Sequence, residues 1–281
     1  MSDATRQREE EERLKASLVE GMRLAFAMIR DAFSFDPSGP DQSARRAYIR
    51  AIGALVEGIV ALLKQTCLAM HDDGVPIPPI GAGSLAMLRE ESYWLNSVGM
   101  VEFRRSFPPT AANVAFTLRV FFEATLSSSR VETSGEGWSG FIALIGIRNR
   151  ITHPKSAAEF EVSESDLAIT ERGTEWFLRH CLLAVMAISA YIAAYDRHTV
   201  AVLEEVRDAK TPDRRFRLFD KLAAPPSREL VAAAEASGPS LVPSQTANDP
   251  SDRETLLRKL AEAEELVSSG KVFKIALSRH A

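Results

Sequence analysis

Trp138-Ser-Gly-Phe-Ile-Ala-Leu-Ile-Gly-Ile-Arg-Asn-Arg-Ile-Thr-His-Pro154 is the stretch on which the reading of this chain turns. Trp138, Phe141, Ile142 and Ile145 recur at i, i+3, i+4 and i+7, the spacing of one apolar helical stripe. Carried on by three and four residues, that stripe reaches Arg148 and Asn149. A cation and an amide then stand where a buried face would continue, and polar groups in such places need partners or a chemical task. Pro154 pushes the residue before it out of the helical region. The spacing therefore predicts a helix over about 137–152, with His153 at its carboxyl end.

Helical periodicity recurs on both sides of this stretch. A long helix is expected over 4–33, with Leu14, Leu18, Met22, Leu24, Phe26 and Met28 on an irregular apolar face. Its early run Glu9-Glu10-Glu11-Glu12 suits the positive end of the helix dipole. Asp36-Pro-Ser-Gly-Pro-Asp41 breaks the chain. A second helix follows over 42–71, where Ile49, Ile52, Val56, Ile59, Leu63 and Cys67 recur every three or four residues. The connector Gly74 to Gly83 leads to a third helix over 84–96. Val101 to Phe107 alternates weakly and predicts a short strand or hairpin arm. Pro108-Pro109-Thr110 opens a fourth helix over 111–127. A sixth begins near Ser163, where Ser163 and Asp166 have capping-box spacing, and runs towards Arg207.

The pattern as a whole predicts an all-α fold: a helical bundle over 1–210, in which the first long helix is an extension, with an irregular or β-like insertion near 97–110. Residues 211–251, rich in Ala, Pro, Ser and Gly towards their end, read as a flexible linker. Residues 252–281 read as an arm carrying an amphipathic helix with Leu256, Leu257, Leu260 and Leu266.

Composition narrows the function. Of 281 residues, 34 are Lys or Arg and 38 are Asp or Glu, a formal net charge of -4. That argues against a uniformly basic surface for bulk nucleic-acid binding, while leaving room for a local basic site. The two cysteines, Cys67 and Cys181, sit in apolar helical runs and read as small buried hydrophobes. The charged amino terminus lacks the apolar core of a signal peptide. Cys181 to Tyr195, about 15 residues, is shorter than the ~18–20 apolar residues that span a bilayer. The expectation is a cytoplasmic protein with no membrane partner.

Other constellations carry less. Gly81-Ala-Gly83-Ser-Leu-Ala86 has GxGxxA spacing, but the Pro-rich connector before it is no strand for a dinucleotide fold. His71-Asp72-Asp73 reads as a polar helix end, not a metal site. Trp138 and Trp176 read as core anchors, and Glu90-Glu91 as a helix surface. No cofactor and no metal is implied.

Chemistry concentrates at the end of the fifth helix. Asn149 and His153 are four apart and neighbours on the helix surface, as are Arg148 and Thr152. A histidine at a helix carboxyl terminus sits where the dipole favours its protonated form, as suits a general acid, and arginine is a natural phosphate clamp. Arg and His before Pro are also ordinary helix-stop residues.

Arg148-Asn149-Arg150-Ile151-Thr152-His153 resembles the signature of the HEPN superfamily: Arg, a polar residue often Asn, three variable residues, then His. Ile147 and Pro154 also match common versions. The likeness spans roughly 45–200, its specific part only 148–153. It implies a helical bundle acting as a metal-independent endoribonuclease, in a toxin–antitoxin or phage-defence setting. By that resemblance Arg148, Asn149 and His153 are catalytic: His153 assists 2′-hydroxyl attack or protonates the leaving oxygen, Arg148 stabilises the phosphate, and Asn149 orients His153 or the substrate. Arg150 and Lys155 would contact the RNA backbone. The implied partners are RNA and a second copy, or a higher homo-oligomer, placing two motifs across one cleft. A protein partner or antitoxin could engage the carboxyl-terminal arm. The alternative is a non-catalytic helical dimerisation module, or an RNA- or nucleotide-binding subunit of a defence complex.

Overall fold

A computed structural model describes residues 3–105, 108–208, 218, 221, 224–237 and 251–269. Among them the chain is all-α apart from one small hairpin, as its periodicity predicts. The helices are α1 Asp3–Phe33, α2 Gln42–Asp72, α3 Ala82–Leu88, α4 Thr110–Ala124, α5 Gly135–Thr152, α6 Glu164–Asp208, α7 Arg228–Ser237 and α8 Ser251–Ser268. The strands are β1 Glu91–Leu95 and β2 Val101–Arg105, antiparallel, with Leu95 opposite Val101 and Tyr93 opposite Phe103.

The core forms where the apolar faces of α2, α4, α5 and α6 meet. Tyr48, Ile49, Ile52 and Val56 of α2, Leu118 of α4, Phe141, Leu144 and Ile151 of α5, and Phe177, Leu178 and Leu182 of α6 are all buried there. A backbone-to-backbone approach joins α5 to α6 through Gly140 and Gly173. A Cβ on Gly173 would stand 2.7 Å from the Gly140 carbonyl oxygen and 2.9 Å from the Phe141 Cα. The aromatic residues Trp138, Phe141, Trp176 and Phe177 stack beside that crossing. Trp138 and Trp176 are thus core anchors.

The start of α6 is built by the expected capping box. Ser163 N donates to Asp166 Oδ2 at 2.9 Å, and Asp166 N donates to Ser163 Oγ at 3.1 Å. Arg45 of α2 pairs with Glu164 and donates to the carbonyls of Gly39 and Val162, tying α2 to that end.

Three expectations need correction. Residues 91–95 are strand, not the end of a helix over 84–96. The short helix α3 stops at Arg89, and Glu90 takes a left-handed φ of 58° that turns the chain into β1. No glycine marks that turn, so the sequence hides it. Second, the segment read as linker contains α7, whose Val231 and Ala234 are buried. Third, the buried face of α5 is Phe141, Leu144, Ile147 and Ile151, and Ile142 is 48% exposed. The run 141–147 is apolar nearly all round, so periodicity alone left the helix's rotation ambiguous.

Helix α8 is packed down: Leu256, Leu260, Ala263 and Val267 are buried, and Glu264 pairs with Arg30 of α1. Residues 270–281 lie outside the described residues, including Lys271 to Leu277. Two helices, α2 and α6, are long and apolar enough to cross a bilayer once a few charges are tolerated; 50% and 67% of their apolar windows lie inside the bundle. Both cysteines are buried and free, and burial pushes the Cys67 thiol up to about 12.

Candidate functional site at the end of helix α5

The site is assembled by the carboxyl end of α5 lying along one face of α2. On α2 the residues that meet it are Arg46, Arg50, Gly53 and Glu57, spaced i, i+4, i+7 and i+11. Gly53 permits the approach. A Cβ there would stand 2.9 Å from Arg148 Cγ and 3.2 Å from its Nε, so the Arg148 side chain lies across the bare backbone of α2. Its guanidinium donates from Nη2 to Glu57 Oε1 at 2.7 Å and from Nη1 to Asn149 Oδ1 at 3.1 Å. Arg148 is therefore half-buried and oriented by two acceptors, one of them a carboxylate.

Asn149 and His153 share the exposed side of α5 with Ser139, Ile142 and Gly146. Asn149 uses its side-chain oxygen on Arg148, not on His153. His153 caps the helix: its backbone N–H donates to Asn149 O at 3.0 Å, its φ and ψ are -127° and 58°, and its ring faces outwards without a hydrogen bond to any described residue. The expected helix end before Pro154 is thus in place, and the imidazole is open to a partner or substrate.

Arg150 has a different occupation. It donates from Nη1 to the carbonyls of Glu159 and Glu161 at 2.8 and 2.9 Å, and from Nη2 to Asp166 Oδ2 at 2.9 Å. Burial pushes the Asp166 carboxyl up. The Ser163 donors and the Arg150 guanidinium outweigh that and hold it below the usual carboxylate range. Arg150 thereby fastens the 154–163 loop to α5 and the start of α6. Lys155 is exposed, and its backbone N–H donates to Glu159 Oε2 at 2.8 Å, stiffening the turn after the motif.

Sequence reasoning missed the contribution of α2. Arg50 donates to Ile151 O at 3.0 Å, satisfying one of the carbonyls left open at a helix carboxyl end. Arg46 lies over the Phe160 ring at 4.1 Å and Arg50 at 5.7 Å, so both guanidinium groups border the motif. The i, i+4 spacing of Arg46 and Arg50, and of Gly53 and Glu57, was the available signal. It goes unnoticed when α2 is read only for its apolar stripe.

Elsewhere, His71 Nδ1 and Asp72 Oδ1 are 2.9 Å apart at the end of α2, and no group of three metal-binding side chains occurs among the described residues. Compared with protein-family models, with curated proteins and with solved structures, the chain matches none of them.

Proposed function

We propose that the chain is a HEPN-type endoribonuclease whose working unit is two copies facing each other across the exposed side of α5. The reading rests on its likeness to the Arg-Asn-x-x-x-His signature. The observation that carries it furthest is the open imidazole of His153, one helical turn from Asn149, whose side chain accepts from an arginine that Glu57 also orients.

The chemistry asks for two proton transfers. A base removes the proton from a ribose 2′-hydroxyl as that oxygen attacks the adjacent phosphorus. An acid delivers a proton to the 5′-oxygen as the P–O5′ bond breaks, leaving a 2′,3′-cyclic phosphate. Each copy brings one His153, so a symmetric pair supplies two imidazoles, one per transfer. Arg148 steadies the charge that grows on the phosphoryl oxygens. It has N–H donors beyond the two in use, and the approaching phosphate competes with Glu57 for it. Asn149 positions Arg148. Arg46, Arg50 and Lys155 supply cationic surface along the strand, while Arg150 holds the loop that carries Lys155. A cytoplasmic setting in defence or toxin–antitoxin biology belongs to the same reading.

The decisive experiment is cleavage of a labelled RNA by purified His153→Ala. The proposal expects loss of cleavage with an unchanged melting temperature. Cleavage at the native rate in a contaminant-free preparation refutes it.

A second reading has its own support. Glu57 already neutralises Arg148, and Ile142 lies 48% exposed next to Gly146 on the same face. Both features suit a face made for association without catalysis. Under it, His153→Ala shifts the dimer equilibrium in sedimentation and there is no cleavage to lose.

A further inference from the structure

A second site lies away from the motif. The carboxyl end of α4, the loop 125–131, the Pro-rich connector before α3 and the start of α7 enclose a cleft of about 530 Å3. That lies within the range of small-ligand pockets, about 300–1,000 Å3. The loop that walls it runs into the amino terminus of α5, and the motif sits at the other end of that 18-residue helix, about 27 Å away along its axis.

Its charge is one-sided. Arg119, Arg130 and Arg228 line it, from three different elements, against a single carboxylate, Glu123. Neither Arg119 nor Arg228 makes an ion pair or hydrogen bond with any described residue, and none of the three guanidinium groups pairs with Glu123. Arg130 donates through Nη1 to the carbonyls of Ser128 and Ser129, at 3.3 and 3.2 Å, which fixes the group and leaves its other edge free. Three cations around one cleft repel one another unless an anion joins them.

The walls are held in advance. Just past the end of α4, Leu126 takes the left-handed region at φ 56°, an uncommon conformation for leucine. The following turn is clamped from α7, where Glu235 accepts from Ser127 Oγ at 2.5 Å and from Ser128 Oγ at 2.7 Å. The same helix presents Arg228 at its first turn; Ser227 and the Glu229 carboxylate already accept backbone N–H groups there, so the guanidinium is what this helix offers an anion. Pro78, Pro79, Ile80 and Val131 give the cleft an apolar side. Guanidinium groups on one part and aliphatic surface on another match a phosphate joined to a flat, weakly polar body.

We infer that this cleft binds a phosphorylated small molecule of nucleotide size, its phosphate held by Arg119, Arg130 and Arg228 and its base or sugar against Pro78, Pro79, Ile80 and Val131.

The test is titration calorimetry on the full chain with AMP, ATP, ribose 5-phosphate, inorganic phosphate, adenosine and a short single-stranded RNA. Saturable binding of at least one of AMP, ATP or ribose 5-phosphate is expected, with inorganic phosphate and adenosine weaker. Arg119→Ala, Arg130→Ala and Arg228→Ala each weaken it about 10-fold or more. All three side chains are exposed, and an unchanged melting temperature of the unliganded variants confirms that they fold. His153→Ala leaves the affinity unchanged, which separates this site from the proposed ribonuclease centre. The inference is overturned if none of the phosphorylated small molecules binds, if only the RNA binds, or if binding survives unchanged in all three arginine variants.

Discussion

Replacing Gly173 with alanine tests the packing that places the motif. Gly173 of α6 meets Gly140 of α5 backbone to backbone, and the added methyl would lie 2.7 to 2.9 Å from the Gly140 carbonyl and the Phe141 Cα. No flexible side chain can yield there, so α5 and α6 must separate by several tenths of an ångström. Overpacking of this kind costs about 3 kcal/mol. Alanine's better helix propensity returns about 1 kcal/mol. The net loss is about 2 kcal/mol, or about 4–8 °C in melting temperature for a chain of this size. Two controls sit on the partner helix. At Gly140 the nearest neighbours of a Cβ are at 3.2 and 3.3 Å, so Gly140→Ala should fall between neutral and mildly destabilising. At Gly146 nothing lies within 4 Å, and Gly146→Ala should stabilise by about 0.5–1 kcal/mol. Thermal unfolding of the three variants by circular dichroism gives the order. The account of the crossing fails if Gly173→Ala melts at or above the parent, or if Gly146→Ala falls with it.

Arg150→Ala should destabilise the fold by about 1–3 kcal/mol of lost charged hydrogen bonds and so lower the melting temperature, while Lys155→Ala leaves it unchanged; equal melting of the two would remove the anchoring role. Asp166 has its carboxyl held below the ordinary range in the fold, so its contribution is complete above about pH 4 and is lost as pH falls through the lowered value. Asp166→Asn should therefore flatten the acid limb of a stability–pH profile. His180 titrates below its ordinary value, chiefly because it is buried. Its Nδ1 lies 2.8 Å from Trp176 O, and Nε2 accepts from Glu132 N at 3.4 Å, so a proton on Nε2 would face another donor. The fold favours neutral His180. The stability this confers is complete above about pH 6.5 and declines as pH falls below it, and His180→Gln should lose that part of the profile.

Much of the fold was legible because long helices repeat their apolar spacing many times. The boundaries of α1, α2 and α5 fall within a residue or two of those expected from sequence. The capping box at Ser163 and Asp166 was readable for a similar reason: its chemistry is local. What escaped was nonlocal or conformational. The α3–β1 turn depends on a left-handed glutamate that no turn residue announces. The rotation of α5 depends on which of several apolar faces finds a partner. The motif itself was visible as a string of residues, but not that Arg150 faces the 159–161 loop while Arg148 crosses Gly53, since each depends on a chain segment many residues away.

The pairing of Arg148 with Glu57 carries the strongest discrimination between the two functional readings. A 2.7 Å contact to a half-exposed carboxylate contributes little stability, on the order of 0.2–1 kcal/mol. Its consequence for binding is larger, because Glu57 occupies the arginine that a phosphate would need. If Arg148 binds RNA, then Glu57→Gln removes the competing charge while keeping an acceptor near the guanidinium. RNA affinity should rise, with the melting temperature nearly unmoved and the salt dependence of binding steeper by up to one counterion. Arg148→Ala in the same background should cancel the gain. If the pair serves a face for association only, Glu57→Gln changes the sedimentation of the protein and leaves RNA binding where it was. Fluorescence anisotropy across a salt series, run beside sedimentation on the same samples, separates the two. An unchanged RNA affinity on Glu57→Gln would contradict competition between carboxylate and phosphate for Arg148, and a fall would show that Glu57 acts instead by orienting that guanidinium.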